Sequence, residues 1–300
     1  MVRSCRNAVI KVCAFGQACY SRFGFSVMRD VINAGLDPHR WFAGVMNKVI
    51  TPDLTHAGDP AWVEEVKKFL EEHVTKAQRQ QAKMANFGLP GGMGARMFYQ
   101  HCREGGLNIT REETDFMRDA WIQTFSEMQR HMQPKPIPPS DKIRRKYGFV
   151  PDDDDEFEDP DQGRQLFIAH CIDGFTRNRA SRNAALNVQF QALVAHGAKV
   201  AGWNILHRLG MGDRLLNFVH DEYLYWLLPE ELEIMVPLVE EAMLDGMRQV
   251  IPDVKIGVET SCSYHWDKGA PEFAALEKSA DGLYLIRDPD IVADILKNHA

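Results

Sequence analysis

The sequence predicts an α+β fold in which helices back a small antiparallel sheet. Three observations carry this. Between residues 24 and 132, and again from 187 to 208, apolar residues recur mostly at the helical period. The dense apolar stretch Leu215 to Leu228, interrupted at His220-Asp221-Glu222, reads as a β-hairpin with its polar residues near the bend. After one further helix, Val254-Lys255-Ile256-Gly257-Val258 reads as a third strand.

Taken in order, Phe25, Met28, Val31 and Ile32 mark a first helix, broken at Asp37-Pro38, and Trp41, Val45 and Val49 mark the next. Asp59 is an N-cap and Pro60 a first-turn residue for a long helix. Its apolar positions Val63, Val66, Phe69 and Leu70 keep the period, and Gly88 with Pro90-Gly91-Gly92 ends that region. Pro90 should stop the helix early by disfavouring αR at Leu89. Thr110-Arg111-Glu112-Glu113 has the spacing of a capping box and opens a helix to about Met132. Residues 133–165, rich in Pro and then in acid, read as a mobile connection or surface insertion. Phe190, Leu193, Val194, Val200, Ala201 and Ile205 make 187–208 amphipathic. Leu232, Met235, Val236, Val239 and Met243 do the same for the helix after Pro229, and the C-terminal tail is expected to be helical.

The length, 300 residues, allows one large domain or two modest ones. No run of about 18 apolar residues suggests a membrane span. The N-terminal apolar stretch is broken by Lys11 and Gln17, which argues against a signal peptide. Six cysteines without a CxxC pair or zinc spacing suggest free thiols in an intracellular protein. The eleven histidines include no HExxH and read mostly as scattered core and surface residues. The net charge of −7 argues against a nucleic-acid partner only as an average. Eight acids lie between Asp152 and Asp161, and setting them aside turns −7 into +1. Residues 1–29, 76–103 and 174–208 hold basic residues and no acid, so they could present a positive potential to a polyanion.

Two constellations carry chemistry. Arg79, Lys83 and Phe87 recur every fourth residue, on one helical stripe that drifts about 40° per step. Two cations and an aromatic ring suit a nucleoside triphosphate, the cations offsetting phosphate charge and the ring packing on base or sugar. Alone, such a stripe is usually a helix edge beside a core. Asp221 and Glu222 at a hairpin bend suit a hard cation such as Mg²⁺, while the same tripeptide is also common as a solvated turn.

In this order the two motifs resemble family A (bacterial DNA polymerase I-like) DNA polymerases, phage types included. Their fingers helix carries Arg-x3-Lys-x3-Phe/Tyr-Gly, and a later hairpin carries His-Asp-Glu. Arg182-Asn183-Ala184-Ala185-Leu186-Asn187-Val188-Gln189-Phe190-Gln191 looks like that family's minor-groove segment, and Asp37-Pro38-His39 like its Asp-x-His. The resemblance spans roughly residues 17–270. It implies a truncated right-hand architecture. Residues 1–54 would begin a palm, 55–135 form helical fingers, and 136–165 an acidic, Pro-rich linker. Residues 166–270 would complete the palm and 271–300 form a tail. It further implies that Arg79, Lys83, Phe87 and His39 bind the nucleotide and that Asp221, with Glu222 beside it, is catalytic and binds metal. Asn187, Gln191, His220 and Arg182 would touch DNA. The implied partners are a DNA primer-template and dNTP, the cofactor a pair of Mg²⁺ ions, and the setting the cytoplasm of a bacterial or phage-infected cell.

The chain departs from this pattern at its start. The family places Asp-x4-Glu on its first palm strand, and the equivalent positions fall near Arg6 and Lys11. A cation there would repel the metals that a two-metal mechanism holds about 3.5–4 Å apart. Three explanations follow: a split gene whose second polypeptide supplies the strand, thumb and exonuclease; a frame-displaced start; or a non-catalytic remnant. The family's tyrosine four residues past Phe87 is Gly91 here, so sugar discrimination cannot be inferred. The expected function is template-directed nucleotidyl transfer to a DNA 3′ end, within a complete assembly. The alternative is a pseudo-polymerase that holds primer-template without chemistry. A metal-dependent hydrolase built on His220-Asp221-Glu222 would leave the stripe unexplained.

Overall fold

The computed structural model describes residues 2–8, 10–133, 148–151, 166–219, 222–263, 270 and 272–278. Its early elements are β1 (Val2–Ala8), α1 (Ile10–Phe23), α2 (Val27–Asn33), α3 (Pro38–Met46), α4 (Pro60–His73), α5 (Lys76–Gly88), α6 (Ala95–Glu104), α7 (Arg111–Thr124) and α8 (Glu127–His131). There follow β2 (Gly148–Pro151), β3 (Phe167–His170), β4 (Thr176–Ala180), α9 (Arg182–Trp203), β5 (Leu215–Val219), β6 (Glu222–Trp226), α10 (Leu232–Arg248) and β7 (Gly257–Ser263). The chain divides into two compact units. One holds Met1–Ile10, Val194–Val250 and Ile256–Ala300; the other holds Lys11–Leu193 and Ile251–Lys255.

In the first unit an antiparallel sheet runs in the order β5-β6-β1-β7. Tyr223 and Tyr225 of β6 join Leu232, Val236, Val239 and Met243 of α10, and Ala201 of α9, in one buried cluster. Gly246 lets α10 approach α9 closely, since a Cβ there would lie 2.4 Å from the Ala201 backbone nitrogen. The Tyr223 hydroxyl donates to the Ala198 carbonyl at 2.6 Å, tying β6 to α9. β1 pairs with β6 and β7, so residues 2–8 of this chain form a strand where one of the three explanations, the split gene, called for a second polypeptide. Val-Arg-Ser-Cys-Arg-Asn-Ala has little strand propensity by itself. It is ordered by neighbours on both sides, which satisfy its backbone groups in ladders.

The second unit is mostly helical, with an antiparallel sheet β2-β3-β4. Phe15, Trp41, Phe42, Trp121 and Phe125 are fully buried at its centre. Ser26, Asp37, Asp59 and Thr75 cap α2, α3, α4 and α5 with side-chain acceptors for otherwise orphaned N–H groups. The Thr110–Glu113 capping box opens α7 as expected.

Several boundaries differ from expectation. The long helix from Asp59 is two helices: the chain becomes extended at Val74 and restarts through a Thr75–Gln78 capping box. Phe69, expected on the apolar face of α4, is 39% exposed and stacks on His73 instead. The helix expected to reach Met132 breaks at Phe125, whose buried ring packs against Trp41, Phe42 and Trp121. That break brings buried Glu127 to accept from the Ser26 hydroxyl and the Met28 N–H, so α8 supports the start of α2. The stretch expected as a connection includes strand β2, paired with β3, and its acidic run lies outside the described residues. The strand expected from Val254, β7, starts at Gly257. Lys255 is engaged elsewhere, its N–H donating to Asn33 Oδ1 and its carbonyl accepting from Cys13 Sγ. α9 begins at Arg182 and ends in a π-turn, Asn204–Arg208. Of the tail expected to be helical, the described part holds only a 3₁₀ turn, Phe273–Ala275, and the remainder lies outside the described residues.

Candidate nucleotide and primer-template site

α5 presents two faces. Ala82, Met84, Ala85 and Asn86 are buried, while Arg79, Lys83 and Phe87 form a half-buried stripe. The Lys83 ammonium lies 5.6 Å from the Phe87 ring centroid. The His39 ring, from α3, meets Phe87 nearly edge-on at 5.2 Å between centroids. Arg79 Nε donates to Asp37 Oδ2 at 2.6 Å. Thus four residues assigned to the nucleotide by resemblance, Arg79, Lys83, Phe87 and His39, come together around the start of α3.

Their electrostatics follow from burial and neighbours. Burial pushes the Asp37 carboxyl up, but the Arg79 hydrogen bond, the nearby charges and the His39 N–H outweigh it and hold it below the ordinary range. Burial is the main force lowering His39 to about 4; Asp37 opposes it, and Arg79 and Lys83 add to it. At neutral pH the imidazole is therefore uncharged. A cavity of about 470 Å³ opens beside this cluster, lined by Asp37, Arg40, Lys67, Glu71, Lys76 and Arg79 among others. It shares Arg79 with the stripe, but His39, Lys83 and Phe87 do not line it. Its four cations against two acids favour an anion.

The turn after α5 is set by local chemistry. Leu89 keeps αR geometry, contrary to the expectation from Pro90, because Leu89–Gly91 continue as a 3₁₀ turn. Gly92 then adopts a φ of 74°, which a side chain would resist. Buried His131 pins the turn: its Nε2–H donates to the Pro90 carbonyl at 3.2 Å while Nδ1 accepts from Arg22 at 3.1 Å. Burial, helped by Arg22, lowers His131 to about 3. Gly91 packs against α9, where a Cβ would lie 2.7 Å from Asn187 Oδ1. The Asn187 carboxamide thus occupies space that a side chain at position 91 would need. Gln191, exposed, donates to Asn187 Oδ1 at 3.4 Å, and Arg182 at the start of α9 donates to the Met132 carbonyl at 2.7 Å.

The basic windows are less free than the sequence suggests. Arg29, Arg79 and Arg208 pair with Asp30, Asp37 and Asp245, acids that lie just outside those windows in sequence or far from them. Arg22 donates to His131, so it is turned toward the protein.

At the hairpin, Glu222 opens β6, and His220 and Asp221 lie outside the described residues. Arg6 of β1 stands directly across the ladder from Glu222 and, on its other side, from Glu259. Among the described residues no three His, Cys, Asp or Glu side chains gather closely enough to hold a metal ion. A cation in register with Glu222 does not fit a pair of divalent ions. No described helix is long and apolar enough to cross a membrane.

Asn86, Trp121 and His131 escaped the sequence reading. Asn86 carried a signal: it is a polar residue on the face of α5 that spacing turns toward the core.

The chain has relatives among known proteins. DNA polymerase family A matches residues 61–268. DNA polymerase I of Aquifex aeolicus is 24% identical over 81% of this chain and 36% of its own length. That of Bacillus subtilis is 25% identical over 61% of this chain and 19% of its own. The chain therefore spans well under half of either relative. Among solved structures, the POL domain of Pol1 from M. smegmatis, in complex with DNA primer-template and dNTP, superposes with a TM-score of 0.56 at 19% identity. It covers 86% of this chain and 39% of that one, and shows a shared fold. With the family matched over more than half its length, and its fold shared with a polymerase domain, this chain belongs to DNA polymerase family A.

Proposed function

We propose that this chain binds a DNA primer-template and an incoming deoxynucleoside triphosphate in the manner of its family. The convergence of half-buried Arg79, Lys83 and Phe87 with buried His39 carries this reading. Two cations and a neutral imidazole beside an aromatic ring suit a triphosphate joined to a flat base. In this reading residues 55–135 act as fingers, and 1–54 with 166–270 as palm. Asn187, Gln191 and Arg182 follow the duplex, and His220 the primer terminus. Asp221 and Glu222 remain the candidate catalytic carboxylates of an assembly that performs template-directed nucleotidyl transfer.

The register of Arg6 against Glu222 favours a second reading, binding without chemistry. Primer extension and fluorescence anisotropy on one preparation separate the two. The expected result is salt-sensitive primer-template binding with negligible extension under saturating dNTP and Mg²⁺. Robust extension abolished by Asp221→Ala would overturn the non-catalytic reading. No binding at low salt by folded protein would overturn both.

A further inference from the structure

The Asn86 carboxamide is fixed end for end by partners that can each play one role. Trp121 Nε1, a donor only, lies 2.7 Å from Asn86 Oδ1. The Pro38 carbonyl, an acceptor only, lies 3.1 Å from Asn86 Nδ2. The other proton of Nδ2 faces His39 Nδ1 at 2.8 Å, so that ring nitrogen must accept. An accepting Nδ1 leaves the proton of the neutral imidazole on Nε2. Asn86 and His39 are each 1% exposed, and Trp121 is fully buried, so water does not compete for these bonds. Yet His39 Nε2 has no hydrogen-bond partner among the described residues. An orphaned buried donor calls for an explanation, and an incoming acceptor is a specific one.

We propose that Asn86, clamped by Trp121, is a positioning residue that presents His39 as a neutral Nε2–H donor to a non-bridging phosphate oxygen of a bound nucleoside triphosphate. This rests on the nucleotide-binding reading of the α5 face. The opposite tautomer would turn a lone pair toward the phosphate and repel it. Arg79 and Lys83 attract any anion, whereas one oriented N–H selects where a phosphate oxygen sits. Asp37, Arg79 and Lys83 are the charged groups that act on the ring.

The test uses the full chain labelled with ¹⁵N-histidine, the His39 signals being assigned by their loss in His39→Gln. Long-range ¹H–¹⁵N spectra at pH 7.5 report the tautomer directly. The native ring is expected as Nε2–H, with that proton moving downfield as dATP saturates the site. Asn86→Leu removes the donor to Nδ1 and should mix the two tautomers, with dATP and inorganic triphosphate affinity falling about tenfold, the scale of one hydrogen bond to a charged group. Should that variant fail to fold, Trp121→Phe, which removes one of the two partners that fix the carboxamide, should mix the tautomers to a smaller extent. If dATP binds but the native ring is Nδ1–H, or its Nε2–H is unmoved by dATP, the positioning role of Asn86 is wrong and the nucleotide reading stands. If dATP does not bind the native chain at all, the nucleotide reading itself fails.

Discussion

Asp37 holds two partners with two oxygens, and two substitutions separate them. Oδ1 caps α3 by accepting from the His39 N–H at 2.8 Å and the Arg40 N–H at 3.4 Å, while Oδ2 accepts from Arg79 at 2.6 Å. Asp37→Asn keeps a capping oxygen but ends the ion pair. The side chains of Arg79 and Asp37 are 36% and 32% exposed, so the pair is worth about 0.5–1 kcal/mol after solvent screening. Asp37→Ala also loses the cap, a further ~1 kcal/mol. Urea unfolding at pH 7.5 should therefore show a loss of under about 1 kcal/mol for Asn and about 2 for Ala. Nucleotide affinity should move the other way. Arg79 must loosen its hold on Asp37 to meet a phosphate, so releasing it should tighten dATP binding about threefold. Equal losses of stability in the two variants, or weaker dATP binding in a folded Asp37→Asn, would refute the reasoning. The folded carboxyl is depressed, so its stabilisation is present above the unfolded value near 3.9 and fades as pH falls through the lower folded value.

The buried histidines set a second pH dependence. Their folded values of about 4 for His39 and about 3 for His131 lie below the unfolded ~6.5, so the unfolded chain takes up protons first and stability falls with pH below about 6.5. Each should cost about 2 kcal/mol by pH 5, partly offset by Glu127, which burial raises; a slope surviving unchanged in His39→Gln/His131→Gln would count against this. Gly246→Ala drives a methyl into the Ala201 backbone and should cost about 1–3 kcal/mol, whereas Gly91→Ala meets only a rotatable Asn187 side chain and should cost less; chemical denaturation compares them. Lys83→Ala should weaken dATP binding by about 1.5–3 kcal/mol by calorimetry while leaving duplex affinity nearly unchanged.

The helical stripe Arg79–Lys83–Phe87 was legible because a period of four residues survives folding unchanged. So were the caps at Asp59 and Thr110, whose side chains act within one turn of their own position. The break at Val74 was not, since Val63 to Phe87 runs on as apolar and polar residues that either one helix or two could satisfy. Strand β1 was legible only through the family resemblance, because its order comes from strands more than 200 residues away. The Asn86–His39–Trp121 chain joins α3, α5 and α7, and no local pattern announces contacts that tertiary packing creates.

Across the four strands of the first sheet, Val219, Glu222, Arg6 and Glu259 stand level. Where a metal balances paired carboxylates, the balancing charge is on loan: it arrives from solution, exchanges and can be stripped by a chelator. Here the backbone register sets an arginine position between two glutamate positions. An arginine acting as their counterion could not dissociate, and the expectation is then a thermal stability indifferent to EDTA. Arg6→Asp would line three carboxylates along one level, which like-charge repulsion disfavours, and would make the melting temperature depend on added magnesium.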